Sequence, residues 1–246
     1  MKVKTILVSQ PEPKMENSPY QNLVDRTKVK IDFRSFIHVE GAPAKEVREQ
    51  KIDLSKFTAI ILTSRNAVDH FFRVADEMRF KIPDTLKYFC QSEAVAYYLQ
   101  KYVVYRKRKI YVGKRTFSEL CPLIKKHKTE TFLVPSSDKV GGSSEAELDK
   151  LGVKWKSAVF FRTVISDLSD LADVKYDILV FFSPSGIESL FKNFPEFTQE
   201  QTRIAVFGNT TMKAAQDKGL RIDIQAPTPE SPSMTMAIES YIKDKA

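Results

Sequence analysis

The stretch Asp177 to Phe194, DILVFFSPSGIESLFKNF, decides the fold because it reads as a buried strand that leads directly into a helix. Its apolar run from Ile178 to Phe182 is too short to cross a membrane. The run has the length and composition of a strand that is covered on both faces. Such strands belong to parallel sheets with helices on either side, so the stretch indicates an α/β protein.

The helix that follows this strand has two possible starts. Ser183 can cap a helix whose first residue is Pro184. Ser185 and Glu188 have the spacing of a capping box and offer a second start. Either start presents unpaired N–H groups and the positive end of the helix dipole, which together favour a bound anion. Most such turns bind nothing, so this feature alone leaves the purely structural interpretation open.

The same strand-to-helix pattern recurs along the chain. AIIL at 59–62 leads into TSRN at 63–66, as the opening stretch leads into SPSG. Shorter strands followed by helix starts are predicted at 5–9, 88–90, 109–112, 132–134, 204–207 and 222–224. Two longer extended stretches, 30–40 and 155–163, exceed what one sheet needs.

These units form two copies whose strands come in a permuted order. Nearly equal sequence distances separate the matched positions Ser64 and Ser183, Gln91 and Gly208, and Val112 and Ala226. We therefore predict two flavodoxin-like α/β domains with parallel sheets, one inserted in the other, joined by a two-stranded antiparallel linker. The expected strand order in each sheet is near 2-1-3-4-5.

The predicted domains are 1–36 with 167–246, and 41–162, with linker strands at 37–40 and 163–166. Ligands of such sheets bind beyond the carboxyl ends of the strands. Two domains joined by two strands can open and close. We therefore expect a cleft that faces the helix starts of both domains.

The composition describes a globular chain with an excess of basic residues. Of its 246 residues 42% are hydrophobic and 28% charged, and the formal net charge is +8. This charge makes acidic partners plausible, namely nucleic acid, anionic lipid or a polycarboxylate. The densest basic cluster, Arg106 to Lys109, is as consistent with a solvated strand edge as with a nucleic-acid patch.

Cysteine and histidine usage suggests no metal site. Cys90 and Cys121 lie in apolar surroundings, so we expect reduced thiols in a cytoplasmic protein. The three histidines are scattered over separate segments: His38, His70 and His127. The apolar run near the N-terminus is too short for a signal peptide, and we expect no membrane span.

Five linked motifs carry a resemblance to a known family. They are TSRNAV (63–68), FFSPSG (181–186), AVFGNTTMKAA (205–215), GL (219–220) and PTPES (227–231). Together with the permuted order they resemble the uroporphyrinogen-III synthases, and the resemblance covers essentially the whole chain. It implies a lyase that cyclises hydroxymethylbilane to uroporphyrinogen III, with loss of water and inversion of the last ring.

The resemblance also implies how the substrate is bound. It implies that the substrate is a linear tetrapyrrole with acetate and propionate arms on each ring. It also implies that the reaction needs no metal or organic cofactor. We expect a monomer that binds this small molecule and neither nucleic acid nor membrane. The positions that match the family motifs, and so carry predicted binding roles, are Ser64, Arg65, Asn66, Ser183, Ser185, Gly186, Gly208, Thr210, Thr211, Thr228 and Pro229. Weaker candidates are Lys14, Ser136, Ser137 and Lys139.

The sequence does not identify a catalytic acid. In AVFFRTV, Phe161 stands where many family members have a tyrosine proposed to help the hydroxyl leave. Three explanations remain open: the residue is not the essential acid, a substrate carboxyl or Tyr105 replaces it, or the protein is slow or inactive. We favour the first, because holding the substrate in shape is the larger part of the task.

Two other functions remain as alternatives. A two-domain protein that binds a polyanionic small molecule without turnover would account for Phe161 and for the lack of an acid–base set. Nucleic-acid binding rests on the positive charge alone and lacks an interleaved aromatic and basic surface. For each predicted hydroxyl the plain alternative is a helix cap, and for Arg65 it is a surface arginine.

Overall fold

The structure, a computed structural model, describes residues 2–13, 18–138 and 143–244. Its contacts divide the chain into two compact units. The discontinuous unit is Met1–His38 with Val164–Ala246, and the inserted unit is Val39–Thr163. We propose that these units are the two domains expected from the sequence. None of the helices in the described ranges has the length and apolar character needed to cross a bilayer.

Strands and helices alternate through most of the chain. The chain begins with β1 (Thr5–Val8), α1 (Pro19–Thr27), β2 (Lys30–Phe33) and β3 (Ile37–Gly41). The inserted unit continues with α2 (Ala44–Glu49), β4 (Ala59–Leu62), α3 (Arg65–Glu77), β5 (Lys87–Cys90), α4 (Glu93–Leu99), β6 (Ile110–Val112), α5 (Phe117–Lys126), β7 (Thr131–Ser137), α6 (Ser143–Leu151) and β8 (Lys154–Ile165). The chain ends with β9 (Ile178–Phe181), α7 (Pro184–Asn193), β10 (Arg203–Phe207), α8 (Asn209–Asp217), β11 (Ile222–Ala226) and α9 (Met234–Asp244).

The discontinuous unit contains a five-stranded parallel sheet. Its strand order is β11-β10-β9-β1-β2, which is 2-1-3-4-5 when the strands are numbered within the unit, as predicted. The register aligns the carboxyl ends of the central strands, since Val8 pairs with Val180 and Val206 pairs with Phe181. Residues that follow these strands therefore lie along one edge of the sheet.

The inserted unit contains a six-stranded sheet of order β3-β8-β7-β4-β5-β6. Without β3, and with the strands numbered in the permuted order predicted from the repeat (β7, β8, β4, β5, β6), this order is again 2-1-3-4-5. The amide of Ala42 donates to the carbonyl of Phe160, and the amide of Ser166 donates to the carbonyl of Phe36. Residue numbers rise on one strand as they fall on the other, so the two crossing strands, β3 and β8, run antiparallel as predicted.

Alternate residues of the central strands pack into different cores, which is why both faces of each sheet are covered. In the discontinuous unit Ile178 and Val180 join one buried cluster, while Leu179 and Phe181 join another. In the inserted unit Ile60 and Ile61 are divided in the same way. This alternation explains the unbroken apolar runs in the sequence.

The long stretch 30–40, predicted to exceed what one sheet needs, is divided into β2 of one sheet and β3 of the other. The chain breaks between β2 and β3 because Phe36 turns its ring into the core, where it is 1% exposed and packs edge-on against Phe181. The Ser189 hydroxyl holds this bend by donating to the Phe36 carbonyl at 2.6 Å.

The strand predicted at 132–134 is longer in the structure and continues to Ser137. Pro135 is tolerated because the observed pairing of β7 with β4 stops at Leu133, and from there β7 pairs with β8 alone. On the side of β7 that has no partner strand at this point, the missing N–H of proline removes no ladder hydrogen bond. The Gly141–Gly142 loop predicted next lies outside the described residues.

Candidate functional site

In the discontinuous unit the candidate site begins at the start of α7. Ser183 is the N-cap, and its Oγ accepts a hydrogen bond from the amide of Gly186 at 3.2 Å. Pro184 is the first helical residue, so Ser185 lies inside the first turn and the second predicted start is wrong. The amide of buried Gly186 already has this partner, which reduces what that predicted residue can offer a ligand.

Ser9 lies beside this helix start and was not predicted from the sequence. Ser9 directly follows β1, is 8% exposed, and donates its amide to the Val180 carbonyl at 3.0 Å. Its Oγ is 3.6 Å from the position that a Cβ at Gly186 would take. The signal was a serine directly after a strand, the same kind of signal that identified Ser183.

The start of α8 is uncapped by any side chain. Gly208 is the N-cap with φ +83° and ψ +152°, and its amide donates to the Ala226 carbonyl at 2.7 Å. The three amides of the first turn, at Asn209, Thr210 and Thr211, have no acceptor among the described residues. Thr210 is exposed, whereas Thr211 is 1% exposed and can contribute little more than its amide.

The turn after β11 brings Thr228 to the same edge of the sheet. Its Oγ1 accepts from the amide of Ser231 at 3.0 Å, which leaves the hydroxyl hydrogen available to a ligand. Pro229 is exposed in this turn. Phe182 and Phe207 stack at 5.7 Å and join the tips of β9 and β10. The structure thus brings the predicted residues of this unit together at one edge.

In the inserted unit the matching site is the start of α3. Ser64 is the N-cap, and its Oγ accepts from the amide of Ala67 at 3.1 Å. Arg65 and Asn66 are exposed, and their amides have no acceptor among the described residues. The Arg65 guanidinium carbon lies 5.4 Å from the centre of the Tyr98 ring, so the cation is held at this edge.

The glycine after β6 was also missed. A Cβ at Gly113 would lie 2.7 Å from the carbonyl oxygen of Gln91, so only glycine fits between these two strand ends. The amide of Gly113 donates to the Cys90 carbonyl at 2.8 Å. Sequence reasoning identified Gln91 as a matched position but had no signal for this close approach.

The weaker candidates divide into two groups. Ser136 is buried, and its hydroxyl donates to the Ala158 carbonyl at 3.0 Å, so its role is structural. Ser137 is the last residue of β7 and is partly exposed at the carboxyl edge. Lys14 and Lys139 lie outside the described residues.

Phe161 is part of the core of the inserted unit. Its ring is 8% exposed and stacks on His70 at 5.2 Å with an interplanar angle of 20°. The Nδ1 atom of His70 accepts from Nε of Arg73 at 3.1 Å. Burial lowers the pKa of His70 below its ordinary value, and the Arg73 cation acts in the same direction. Phe161 therefore lies against a neutral imidazole and supplies no proton.

Tyr105, the proposed replacement acid, lies at the wrong edge of the sheet. It precedes β6 in the loop after α4, and this loop is at the amino ends of the strands. Its side chain is 45% exposed there. Within the described residues, no three side chains of the metal-binding types come together in a metal-binding group.

Comparisons with known proteins bear on the family and the fold of this chain. The family model described as "HEM4: Uroporphyrinogen-III synthase HemD" matches residues 19–236. A curated relative, the uroporphyrinogen-III synthase of Chlorobaculum parvum (strain DSM 263 / NCIMB 8327), is 24% identical over 276 residues. That alignment covers 98% of this chain and 100% of the relative.

Two solved structures share the fold. The uroporphyrinogen-III synthetase of Helicobacter pylori 26695 superposes with a TM-score of 0.60 at 21% identity, covering 98% of this chain and 99% of that one. A mutant uroporphyrinogen III synthase of Thermus thermophilus gives 0.57 at 14% identity, with the same coverage. Because the family model spans most of its length, the chain belongs to the uroporphyrinogen-III synthase family, cyclising lyases of tetrapyrrole biosynthesis.

Proposed function

We propose that this chain cyclises hydroxymethylbilane to uroporphyrinogen III, with loss of water and inversion of the last ring, and that its helix starts bind the substrate's carboxylates. The observation that carries the proposal is the pair of matched helix starts at Ser64 and Ser183, which follow corresponding central strands. Each start directs the positive end of a helix dipole to the carboxyl edge of its sheet.

We call a helix start whose amides can bind an anion an anion seat, and the start of α8 is the strongest of them. A serine cap satisfies one amide of a helix start, whereas Gly208 has no side chain to do so. The amides of Asn209 and Thr210 are therefore free to bind a carboxylate oxygen, and Thr210 adds an exposed hydroxyl. Hydrogen bonds from backbone amides to a carboxylate are charge-assisted and roughly twice as strong as neutral ones.

The start of α3 adds a side-chain cation to its backbone donors. Arg65 can pair with a carboxylate through its guanidinium, while its own amide and that of Asn66 point beyond the helix start. A substrate with two acid arms on each ring offers carboxylates to several such seats. We propose that residues of both units take part in binding it.

The chemical step needs shape more than strong acids. Loss of the terminal hydroxyl gives a reactive cation, and closure without inversion occurs spontaneously in water. The protein must hold the chain so that the inverted closure is the near one, and it must shield the cation from water. Phe161 is consistent with this task, because it contributes packing and no proton. We propose that no side chain at this position acts as the acid.

The surroundings in which the chain works are also part of the proposal. Cys90 is buried, burial raises its pKa to about 12, and both cysteines are free. Such inert thiols suit a reducing compartment, so we propose a cytoplasmic enzyme. We further propose that it acts as a monomer on a small molecule, without nucleic acid.

Product analysis tests this function. The full chain is incubated with freshly prepared hydroxymethylbilane, and the uroporphyrinogen isomers are separated. We expect isomer III in excess of the spontaneous isomer I. Formation of isomer I alone would contradict the proposal. Tight calorimetric binding of the tetrapyrrole without isomer III would instead select the alternative, a binding protein without turnover, which the absence of a tyrosine at Phe161 favours.

Bulky substitutions test the seats themselves. Ser183→Leu and Thr228→Leu place apolar bulk at the carboxyl edge of the discontinuous unit. We expect both to reduce isomer III formation by about 10-fold or more, because displaced carboxylates lose their near-attack geometry. Circular dichroism checks that each variant is folded. An unchanged rate would remove that residue from the site.

A further inference from the structure

Two phenylalanine rings lie at the carboxyl edge of the discontinuous unit, beside the helix starts of the candidate site. Phe182 follows β9 and directly precedes the cap of α7, and Phe207 ends β10 and directly precedes the cap of α8. Because Val206 pairs with Phe181, Phe182 and Phe207 are the next neighbours across the two strands. Their ring centres are 5.7 Å apart, and the ring planes differ by 30°.

The fold itself does not require aromatic rings at these two positions. The inserted unit provides the comparison, because its strands repeat those of the discontinuous unit. Thr63 follows β4 as Phe182 follows β9, and Cys90 ends β5 as Phe207 ends β10. The same strand ends are thus built without an aromatic side chain in the inserted unit. The pair of rings is a property of the discontinuous unit alone.

Both rings are partly exposed at this edge. They pack against the buried cluster that includes Leu23 of α1 and Met234 of α9, so they belong to that face of the sheet. Helices α7 and α8 cover the other face, where Ile187 and Ala215 join a different cluster. A pyrrole that lies across the tips of β9 and β10 therefore has the phenyl rings on one side and the anion seat of α8 on the other.

The proposed reaction creates a positive charge that this edge has to accommodate. The C–O bond of the terminal hydroxymethyl group breaks, and the oxygen leaves with the electron pair and takes a proton from the medium to form water. The positive charge spreads over the last pyrrole ring and disappears when the closed ring loses a proton. The positive ends of the helix dipoles favour the carboxylate arms but oppose this cation. The cation therefore needs another group to stabilise it.

A phenyl ring meets this need without side reactions. Its face carries negative potential and attracts a cation that lies within about 6 Å of the ring centre. It has no lone pair that could attack the cation and no proton to exchange. The tips of the two strands, FSPSG at 182–186 and FGNTTM at 207–212, contain no acidic residue that could take this role.

We propose that Phe182 and Phe207 are catalytic residues, which contact the last pyrrole ring of the substrate, stabilise its cation through their negative faces and keep water away from it. The inference rests on the proposed function and adds to it the groups that stabilise the charged intermediate. Contact with one ring is sufficient for the cation, and the second ring holds the first in place by stacking.

Steady-state kinetics of the full chain with hydroxymethylbilane test the inference. Phe182→Leu and Phe207→Leu keep apolar bulk and remove the ring. At least one of them should lower kcat about 5- to 10-fold and change KM less than about 2-fold, because the cation forms only after the substrate is bound. Rates are corrected for the folded fraction by urea titration.

Phe197→Leu is the matched control. Phe197 is also a partly exposed phenylalanine of the discontinuous unit, and its ring pairs with that of Phe191 at 6.1 Å. It lies in the segment between α7 and β10, which is at the amino edge of the sheet. This variant should keep the kcat of the wild type.

Fluorinated phenylalanines separate the effect of charge from that of packing. The 4-fluoro, 3,5-difluoro and 3,4,5-trifluoro forms keep nearly the same shape and have progressively weaker negative faces. They are introduced singly at Phe182 and at Phe207 by amber suppression. At the ring that contacts the cation, kcat should fall stepwise along the series, by about 5- to 10-fold for the trifluoro form. The same series at Phe197 should leave kcat unchanged.

The outcomes separate this inference from the function on which it rests. If the wild type forms isomer III and every Leu and fluorinated form keeps its kcat, the inference is wrong and the proposed function stands. If the Leu variants lose activity but the fluorinated series shows no trend, the rings act by packing alone and the inference is also wrong. If the wild type forms only isomer I, the proposed function fails and this inference fails with it.

Discussion

Helices α3 and α7 begin in the same way and then present different chemistry. Their caps, Ser64 and Ser183, have nearly the same backbone angles, with φ of −155° and −152°. After the cap α3 continues with Arg65 and Asn66, both exposed, whereas α7 continues with Pro184, which has no amide hydrogen. The start of α3 therefore adds a cation and two amide donors, whereas Pro184 at the start of α7 adds neither a cation nor an amide donor.

The discontinuous unit makes up this difference at α8. Gly208 leaves three amides of the first turn without an acceptor among the described residues, so backbone donors replace the cation found in the inserted unit. We propose that these equivalent folds recognise acid groups by different means. We expect the discontinuous unit to depend on backbone geometry and the inserted unit on side-chain charge.

The largest expected effect is at Gly208. A Cβ at Gly208 would meet no atom within 4 Å, but any side chain is strained at φ +83°, and relief of that strain would turn the amides of α8 out of line, so Gly208→Ala should lower isomer III formation by about 10- to 100-fold. Gly219, at the other end of α8 with φ +74°, is the matched control. Gly219→Ala should lose stability by about 1 kcal/mol and keep its activity. Rates are corrected for the folded fraction by urea titration. Equal loss of activity in both variants would show that strain, not the amide seat, matters.

A smaller effect is expected at Arg65. Arg65→Gln removes the cation of the inserted unit and should raise KM about 10-fold with little change in kcat, because one charge-assisted contact is lost. Lys101 lies over the same Tyr98 ring at 4.0 Å and provides the control. Steady-state kinetics of Lys101→Gln should match the wild type. If both substitutions raised KM equally, the expectation that the inserted unit depends on the charge of Arg65 would be wrong.

Phe161 should respond still less. Phe161→Tyr restores the residue common in the family, yet its ring lies in the core against His70 and is only 8% exposed. We expect isomer III formation to change by less than about 3-fold and stability to fall by about 1 kcal/mol. A large gain in kcat would show that an acid is needed at this position and that shape alone is not sufficient.

The smallest effect concerns pH. The folded state holds the pKa of His70 below its ordinary value of 6.5 through burial and through Arg73, opposed by Asp69 and Glu77. The unfolded chain then binds this proton more readily, so stability is complete above pH 6.5 and declines as the pH falls below it. Urea titrations at about pH 7.5 and about pH 5.5 should show this decline in the wild type and a smaller one in His70→Gln. The same decline in both would contradict it.

Local signals were enough to predict the architecture and several caps. The strand order and the cap at Ser183 follow from apolar runs, serine and proline at the helix start, and spacing, all of which act over a few residues. The permuted repeat allowed one unit to be interpreted from the other. The antiparallel direction of the crossing strands followed from the same repeat.

Tertiary contacts decided what the sequence could not show. The bend at Phe36 exists because its ring packs on Phe181, and Thr211 is buried because α8 turns that side inward. The unpaired hydroxyl of Tyr88 depends on which described neighbours pack around it, which no local pattern encodes. The position of Phe161 against His70 is a further contact between distant segments.

Amide chemical shifts test the central claim most directly, namely that helix-start amides bind the acid arms of the tetrapyrrole. The ¹⁵N-labelled chain is titrated with uroporphyrin III, the oxidised product, which keeps those arms. The account predicts that the amides of Asn209, Thr210, Arg65 and Asn66 shift together, while that of Gly219 does not move. Saturable binding that leaves all four of these amides unmoved would contradict the account.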